Sequence, residues 1–361
     1  MRKLFLRKKF IYLYRRYCID REIAHQTNLP YLLEALKKNG LYVPLSGSQK
    51  KEIDDYYQTH LGHKIDYRWH EYYYSLSGHF SPQYIPWNIV YRDILDSLNV
   101  REMERAYLDK AYFGRLFPDI LQPLCYLRNV NGVFYQSHAD IPITREEAID
   151  ICSQLPATIV KPSGFSHGGK GVILCPSFEG QKEKVSQLFD TYNNKNFVVQ
   201  EVIKQHSELA KLNSSSVNTL RIISLRRKQT IHILIASVRH GISGSITDNA
   251  SGGGNFCKVH PDGKLDSIAY SYTDRHICTP DGYAYSDIVI PHFSEIIHQT
   301  KEMHQRLPYF KFIAWDWAVN EQGMPVFIEF NTVMPCLMIP QLTNGPLFGK
   351  QTSEILQNIH R

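Results

Sequence analysis

The sequence predicts an α+β protein built on β-hairpins, and three observations carry that expectation. Short apolar, β-branched runs come in pairs around glycine-bearing turns, as "TIVKPS" with "GVILC" and "KFIAWDWAV" with "PVFIEFN". From about residue 120 such strands are interspersed with helical stretches, but without the regular βαβ alternation of a dinucleotide-binding sheet. At 361 residues the chain exceeds a usual single core, so two or three tightly connected subdomains are expected.

The elements follow in order. The start, "MRKLFLRKKFIYLYRR", holds seven of the 41 basic residues and no acid, leaving 34 bases against 35 acids elsewhere. Leu6, Phe10, Leu13, Tyr14 and Tyr17 recur there at helical spacing. Residues 1–17 therefore read either as an amphipathic basic helix on an anionic membrane surface or as a helix docked on its own protein. Arg7 to Lys9 interrupt the apolar run that a secretory signal needs, and no second basic run supports nucleic acid binding. Residues up to about 105 read as mainly helical, with an amphipathic piece in "LPYLLEALKKNG" ending on Gly40. "GHFSPQYIPWN" is a Pro/aromatic connection. "TREEAIDICSQL" is a helix with Thr144 as cap and Glu147 completing a capping box. The strands "TIVKPS" and "GVILC", a polar helical piece near 179–192 and the strand "FVVQEVI" come next.

Between the first two strands lies "GFSHGGKG", residues 164–171, close to G-x-x-x-x-G-K-[ST] but ending in Gly171. A P-loop needs a strand before it and a helix after it, because the helix N-terminus holds the anion. Here a second strand follows. The stretch is either a flexible flap that closes its N–H groups over polyphosphate or a glycine-rich hairpin without a ligand.

Composition excludes several classes. With 43% hydrophobic and 21% charged residues the chain reads as globular, and no apolar run is long enough to span a bilayer. Seven cysteines without a C-x-x-C pair argue against a disulfide framework and a zinc site, and for a reducing, cytoplasmic setting.

The segment 311–332, "KFIAWDWAVNEQGMPVFIEFNT", is the most informative. A hairpin centred between Gln322 and Gly323 sets Asp316 opposite Glu329, puts Asn331 on the same face, and sends Trp315, Trp317, Ile328 and Phe330 to the other. Two carboxylates directly across a strand pair repel, so they tend to need a cation. Oxygen donors of this kind suit Mg²⁺ or Mn²⁺ with nucleotide phosphate completing the shell. The alternative is a surface hairpin whose acids are solvated.

Together these motifs resemble, in order, the ATP-grasp superfamily. "LDKAYFGRLFP", "IVKPSGFSHGGKGV", "FVVQEVI", "VNTLRIISL", "TDNASGGG" and "WDWAVN…VFIEFN" cover roughly Lys110 to Thr332. The run "VVQEVIKQHSELAKLNSSSVNTLRI", with "YYYSLSGHFSPQYIPWNI" upstream, is most similar to sugar-transfer-associated ATP-grasp proteins of polysaccharide biosynthesis, and next to the teichuronopeptide type.

The resemblance implies an ATP-grasp fold, two α+β subdomains gripping ATP. It implies a helical region at 1–105, a part with the flap at 106–200 and a C-terminal subdomain at 201–361. Lys110 and Lys161 would hold phosphates, with Ser166, His167, Gly168 and Gly169 as flap contacts. Glu201, Val202 and Ile203 would line the adenine site, and Glu208, in competition with His206, would meet the ribose. Arg221 would stabilise the transferring phosphoryl group, and Arg239 and Asn249 would position acyl phosphate or the acceptor. Asp316, Glu329 and Asn331 would hold two Mg²⁺ ions, with Mn²⁺ as a substitute.

The usual N-x-x-P-G continuation is replaced by "NTVMPC". The implied activity is an ADP-forming carboxylate-amine ligase acting on a uronic-acid-type carboxylate and an amine, with polysaccharide-biosynthesis enzymes as partners; the membrane reading of residues 1–17 comes from their own basic, amphipathic pattern and would add peripheral membrane contact. A phosphotransferase and a non-catalytic scaffold are the alternatives.

Overall fold

The computed structural model describes residues 28–137, 139, 141–164, 171–192, 195–245, 248, 252–333 and 335–359. The expectations for residues 1–17, for Ser166, His167, Gly168 and Gly169, and for Asn249 lie outside the described residues.

Helix α1 (Leu29–Lys38) starts on Asn28, whose side chain accepts from the Tyr31 N–H, and stops before Gly40 at φ +68°. Its leucines 29, 32, 33 and 36 are buried, giving the amphipathic face the sequence predicts. Helix α2 (Gly47–Leu61) carries a Ser46/Gln49 capping box, and α3 (Arg68–Ser77) ends on Gly78 at φ +69°.

Two antiparallel sheets follow. The first is built from β1 (Cys125–Val130), β2 (Val133–Gln136), β3 (Pro142–Ile143), β4 (Thr158–Pro162), β5 (Ile173–Cys175) and β6 (Phe197–Glu201), in the order β3-β2-β1-β6-β4-β5. Helices α4 (Arg145–Cys152) and α5 (Lys182–Tyr192) close its core, which gathers Leu127, Phe134, Val160, Phe189 and Phe197. Thr144 caps α4 with the expected capping box to Glu147. The 164–171 stretch joins β4 to its antiparallel partner β5, with no helix after it, so the P-loop reading is excluded.

The second sheet contains β7 (Thr219–Arg227), β8 (Thr230–His240), β9 (Asn255–Val259), β10 (Leu265–Tyr270), β11 (Arg275–His276), β12 (Phe312–Val319) and β13 (Pro325–Asn331), in the order β11-β10-β9-β8-β7-β12-β13. One face is largely apolar, with Leu220, Ile222, Trp315, Trp317 and Phe327 in one core with Leu209 of the short helix α6 (Ser207–Ala210) and packed under helix α7 (Phe293–Gln305), whose His304 shares the buried Ser224 hydroxyl with Trp315. The other face is divided. Ile223, Leu225, Ile235, Phe312 and Ala314 form a common core with the N-terminal helices and with helices α8 (Met338–Asn344) and α9 (Thr352–Gln357). The rest of that face is polar.

The β12–β13 register sets Asp316 opposite Glu329, as the sequence predicts, and Gly323 takes φ +81° in the turn. One detail is corrected. A bulge follows Asp316, so Trp317 pairs with Phe327, and it is Phe327, in place of Ile328, that joins the tryptophans in the apolar core. Among the described residues no helix is long and apolar enough to cross a membrane, and the six described cysteines are free.

Candidate functional site

The polar part of the divided face is a row laid across three neighbouring strands. Arg221 on β7 stands opposite Asp316 on β12, which stands opposite Glu329 on β13. Directly opposed residues share a face, so the register alone brings these charges together. Arg221 Nε donates to Asp316 Oδ1 at 2.6 Å, its Nη2 donates to Oδ2 at 3.2 Å, and its Nη1 donates to the Pro335 carbonyl at 2.5 Å. Arg239 on β8 donates from Nη2 to Asp316 Oδ2 at 3.0 Å and to Thr219 Oγ1 at 2.6 Å, and lies 3.4 Å from Asp248. Thr219 in turn donates to Asp248. Burial by itself would make the Arg239 guanidinium easier to deprotonate; the carboxylates of Asp248, Asp316 and Glu329 outweigh that and secure its charge.

The two lysines reach this row from the first sheet. Lys110 sits in the helical turn Lys110–Tyr112, where Asp109 accepts from the Ala111 N–H. The Lys110 N–H donates to Ser163 O at the end of β4, and its Nζ meets Glu329 Oε2 at 2.9 Å. Arg128, buried on β1, donates to the carbonyls of Ala111, Ser137 and Ala139, which pins the turn carrying Lys110 to the sheet. Lys161 lies on β4. Burial, then the Lys110 charge beside it, lower its pKa to about 8, with Glu329 opposing. Partial burial disfavours the Glu329 carboxylate, but Lys110, Lys161 and Arg239 hold it well below the usual carboxylate range.

Glu201, Val202 and Ile203 line a cleft of about 220 Å³ with Leu121, Gln122 and Val326. Glu201 ends β6, and its carboxylate accepts from the Leu124 N–H at 2.9 Å. Glu208 is paired with Lys211 at 2.6 Å, while His206 Nδ1 accepts from the Glu208 N–H and so starts the short helix Ser207–Ala210.

Arg221 and Arg239 are therefore joined to Asp316 by direct contacts and Lys110 to Glu329, the strand register sets the two groups side by side, and Lys161 is placed electrostatically beside Lys110 and Glu329. Thr219, Asp248 and Arg128 escaped the sequence reading. Thr219 lies two positions before Arg221 and so on its face, and Asp248 precedes Asn249 in "TDNASGGG", signals that point to both. Arg128 left none.

The donor chemistry fits a hard divalent cation at one end of the row. The Glu329 side chain is 31% exposed, and Asn331, an oxygen donor whose Oδ1 accepts from the Val333 N–H at 2.9 Å, lies two residues on. Asp316, by contrast, has a side chain only 5% exposed and accepts three hydrogen bonds from arginine. No cluster of three or more His, Cys, Asp or Glu that would hold a metal occurs among the described residues.

A fold of two antiparallel sheets, with two lysines from the first facing an arginine and carboxylate row on the second, defines an ATP-grasp protein. The chain belongs to the sugar-transfer-associated ATP-grasp family, whose model matches residues 123–359. Among solved structures it is similar to D-alanyl-alanine synthetase A from Vibrio cholerae, at 13% identity and a TM-score of 0.43 over 73% of this chain and 67% of that one. It is also similar to phosphoribosylamine–glycine ligase from Thermotoga maritima, at 15% identity and a TM-score of 0.44 over 72% and 56%. A third is the biotin carboxylase domain of 2-oxoglutarate carboxylase from Hydrogenobacter thermophilus in complex with MgADP, at 12% identity and a TM-score of 0.44 over 72% and 47%. No curated protein matches the chain.

Proposed function

We propose that the protein is an ATP-dependent, ADP-forming carboxylate-amine ligase that joins an amine, such as an amino acid, to a uronic-acid-type carboxylate in surface polysaccharide biosynthesis. The observation that carries this reading is the row itself. Two lysines suited to nucleotide phosphates converge on Glu329, while Arg221 and Arg239, held rigidly together on Asp316, lie further along the same face.

Adenine would enter the cleft at Glu201–Ile203 and meet mainly backbone groups there, with Glu208 or His206 toward the ribose. Lys161 and Lys110 would lie over the phosphates as point charges. Lys110 is bonded to Glu329, so a phosphate that takes Lys110 would exchange its carboxylate partner for a phosphate partner and free Glu329. Glu329 and Asn331 are the residues that would hold Mg²⁺, or Mn²⁺ in its place, which would supply neutralisation of phosphate charge.

The substrate carboxylate attacks the γ-phosphorus, the bond to the bridging oxygen breaks, and ADP leaves. Arg221 would stabilise the charge on the transferring phosphoryl group, because its orientation is set in advance by Asp316 and the Pro335 carbonyl. Arg239, with Asn249, would position the acyl phosphate. The amine then attacks the acyl carbon, phosphate leaves and an amide remains. Activation is needed because a carboxylate is a poor electrophile. Closure of the flap residues Ser166–Gly169 would keep water from the acyl phosphate.

The test is product analysis with Mg-ATP, a panel of uronic acids and UDP-uronic acids, and pooled amino acids. ADP and phosphate formed only with both co-substrates, together with a new amide mass, is the expected outcome. In Arg221→Ala kcat falls by roughly 10²- to 10³-fold, the loss typical of one preorganised charge-stabilising donor. A phosphorylated sugar would replace the ligase with a phosphotransferase, and AMP would overturn the acyl-phosphate route.

A further inference from the structure

Asp316 occupies a position that the D…E-x-N order reserves for a metal ligand, yet its surroundings are those of an arginine clamp. Each of its oxygens accepts from arginine. Oδ1 receives Arg221 Nε at 2.6 Å, and Oδ2 receives Arg221 Nη2 at 3.2 Å and Arg239 Nη2 at 3.0 Å. The side chain is enclosed, at 5% exposure. A divalent ion bonded to either oxygen would sit close to two guanidinium groups that cannot lose a proton to relieve the repulsion. Turning Asp316 toward a metal would in turn leave two buried arginine charges poorly compensated.

The far side of the network tightens the same arrangement. Thr219 Oγ1 accepts from Arg239 at both Nε and Nη2 and donates to Asp248, so Arg239 is held from two directions. Glu329 differs in each respect. It is 31% exposed, and its bonding partner is Lys110, a flexible lysine able to turn to a phosphate.

We propose that Asp316 is a positioning residue that orients Arg221 and Arg239, and that this chain holds one divalent ion with its nucleotide, on Glu329 and Asn331, the two arginines supplying the charge that a second ion would bring. This rests on the nucleotide-binding reading above.

The experiment counts bound Mn²⁺ by electron paramagnetic resonance, using the full chain with a non-hydrolysable ATP analogue. The wild type is expected to bind one Mn²⁺ per nucleotide. Asp316→Asn should keep its Mn²⁺ affinity within the roughly tenfold that even loss of an outer-shell partner can cost, while Glu329→Gln loses more than that. Turnover of Asp316→Asn should fall through kcat with the Mg²⁺ dependence unchanged, a split that a merely structural defect would not produce. Two Mn²⁺ ions per nucleotide in the wild type, or loss of Mn²⁺ from Asp316→Asn as complete as from Glu329→Gln, would overturn the proposal. Should Asp316→Asn not fold, the wild-type count decides alone. A wild type that binds no Mn²⁺ with the analogue would remove the nucleotide reading, and this inference with it.

Discussion

Lys161 shows how a single residue's setting becomes a measurable property. Burial and the neighbouring Lys110 charge bring its pKa down to about 8, against an ordinary lysine value near 10.4. The ammonium that phosphate needs is therefore present below about pH 8 and lost as the pH rises through it. Nucleotide affinity should be level in neutral solution and fall by about tenfold per pH unit above pH 8, until the raised pKa of the phosphate-bound lysine is reached. Binding at pH 8.5 should take up a proton, visible as a calorimetric enthalpy that varies with the buffer. Lys161→Arg should abolish that dependence, since arginine stays charged throughout. An enthalpy independent of buffer in the wild type would refute the assignment. The lysine itself was legible from "TIVKPS", but its proximity to Lys110, 51 positions earlier in the chain, was not.

At the scale of elements, the β4–β5 hairpin explains why the G-K-G ending of residues 169–171 carries no hydroxyl. Gly171 adopts φ +77°, a Cβ there would come within 2.9 Å of Pro162 Cγ, and its carbonyl accepts from Tyr192 Oη at 2.8 Å. The position calls for glycine on both conformational and steric grounds. Gly171→Ala should cost about 1–2 kcal/mol from the backbone conformation before the clash is counted. Hydrogen exchange at Ile173–Cys175 should accelerate and nucleotide binding weaken; unchanged exchange would show that the close approach has no consequence. Strand periodicity also foretold the Asp316–Glu329 pair correctly, because alternation and a single glycine turn suffice to set a register. It missed the bulge after Asp316, which depends on how Trp317 and Phe327 pack beneath α7 and so has no signature within the hairpin itself.

Across the whole molecule, the divided face of the second sheet ties the N-terminal helices to the proposed catalytic part. Ile223, Leu225, Ile235 and Phe312 are covered by a core that includes Leu36, Tyr57, Tyr72 and Tyr91. Exposing four such side chains forfeits about 1.5–3 kcal/mol each, which matches the 5–15 kcal/mol that holds a typical protein together. Residues 106–361 expressed alone should therefore show no cooperative thermal transition and should bind a hydrophobic dye, whereas the full chain unfolds cooperatively. A cooperative melt of the fragment would mean that the helical region is an independent domain. The sequence by itself determined the α+β class, the hairpin with its facing carboxylates, the cap residues and the order of motifs, because periodicity, turn glycines and capping are local properties of a few neighbouring residues. Only the tertiary structure decided that Asp316 answers to two arginines, that Lys110 closes on Glu329 and that Asp248 and Thr219 steady Arg239, because those contacts join residues 9 to 219 positions apart and the low-dielectric interior forces each buried charge to find its partner there.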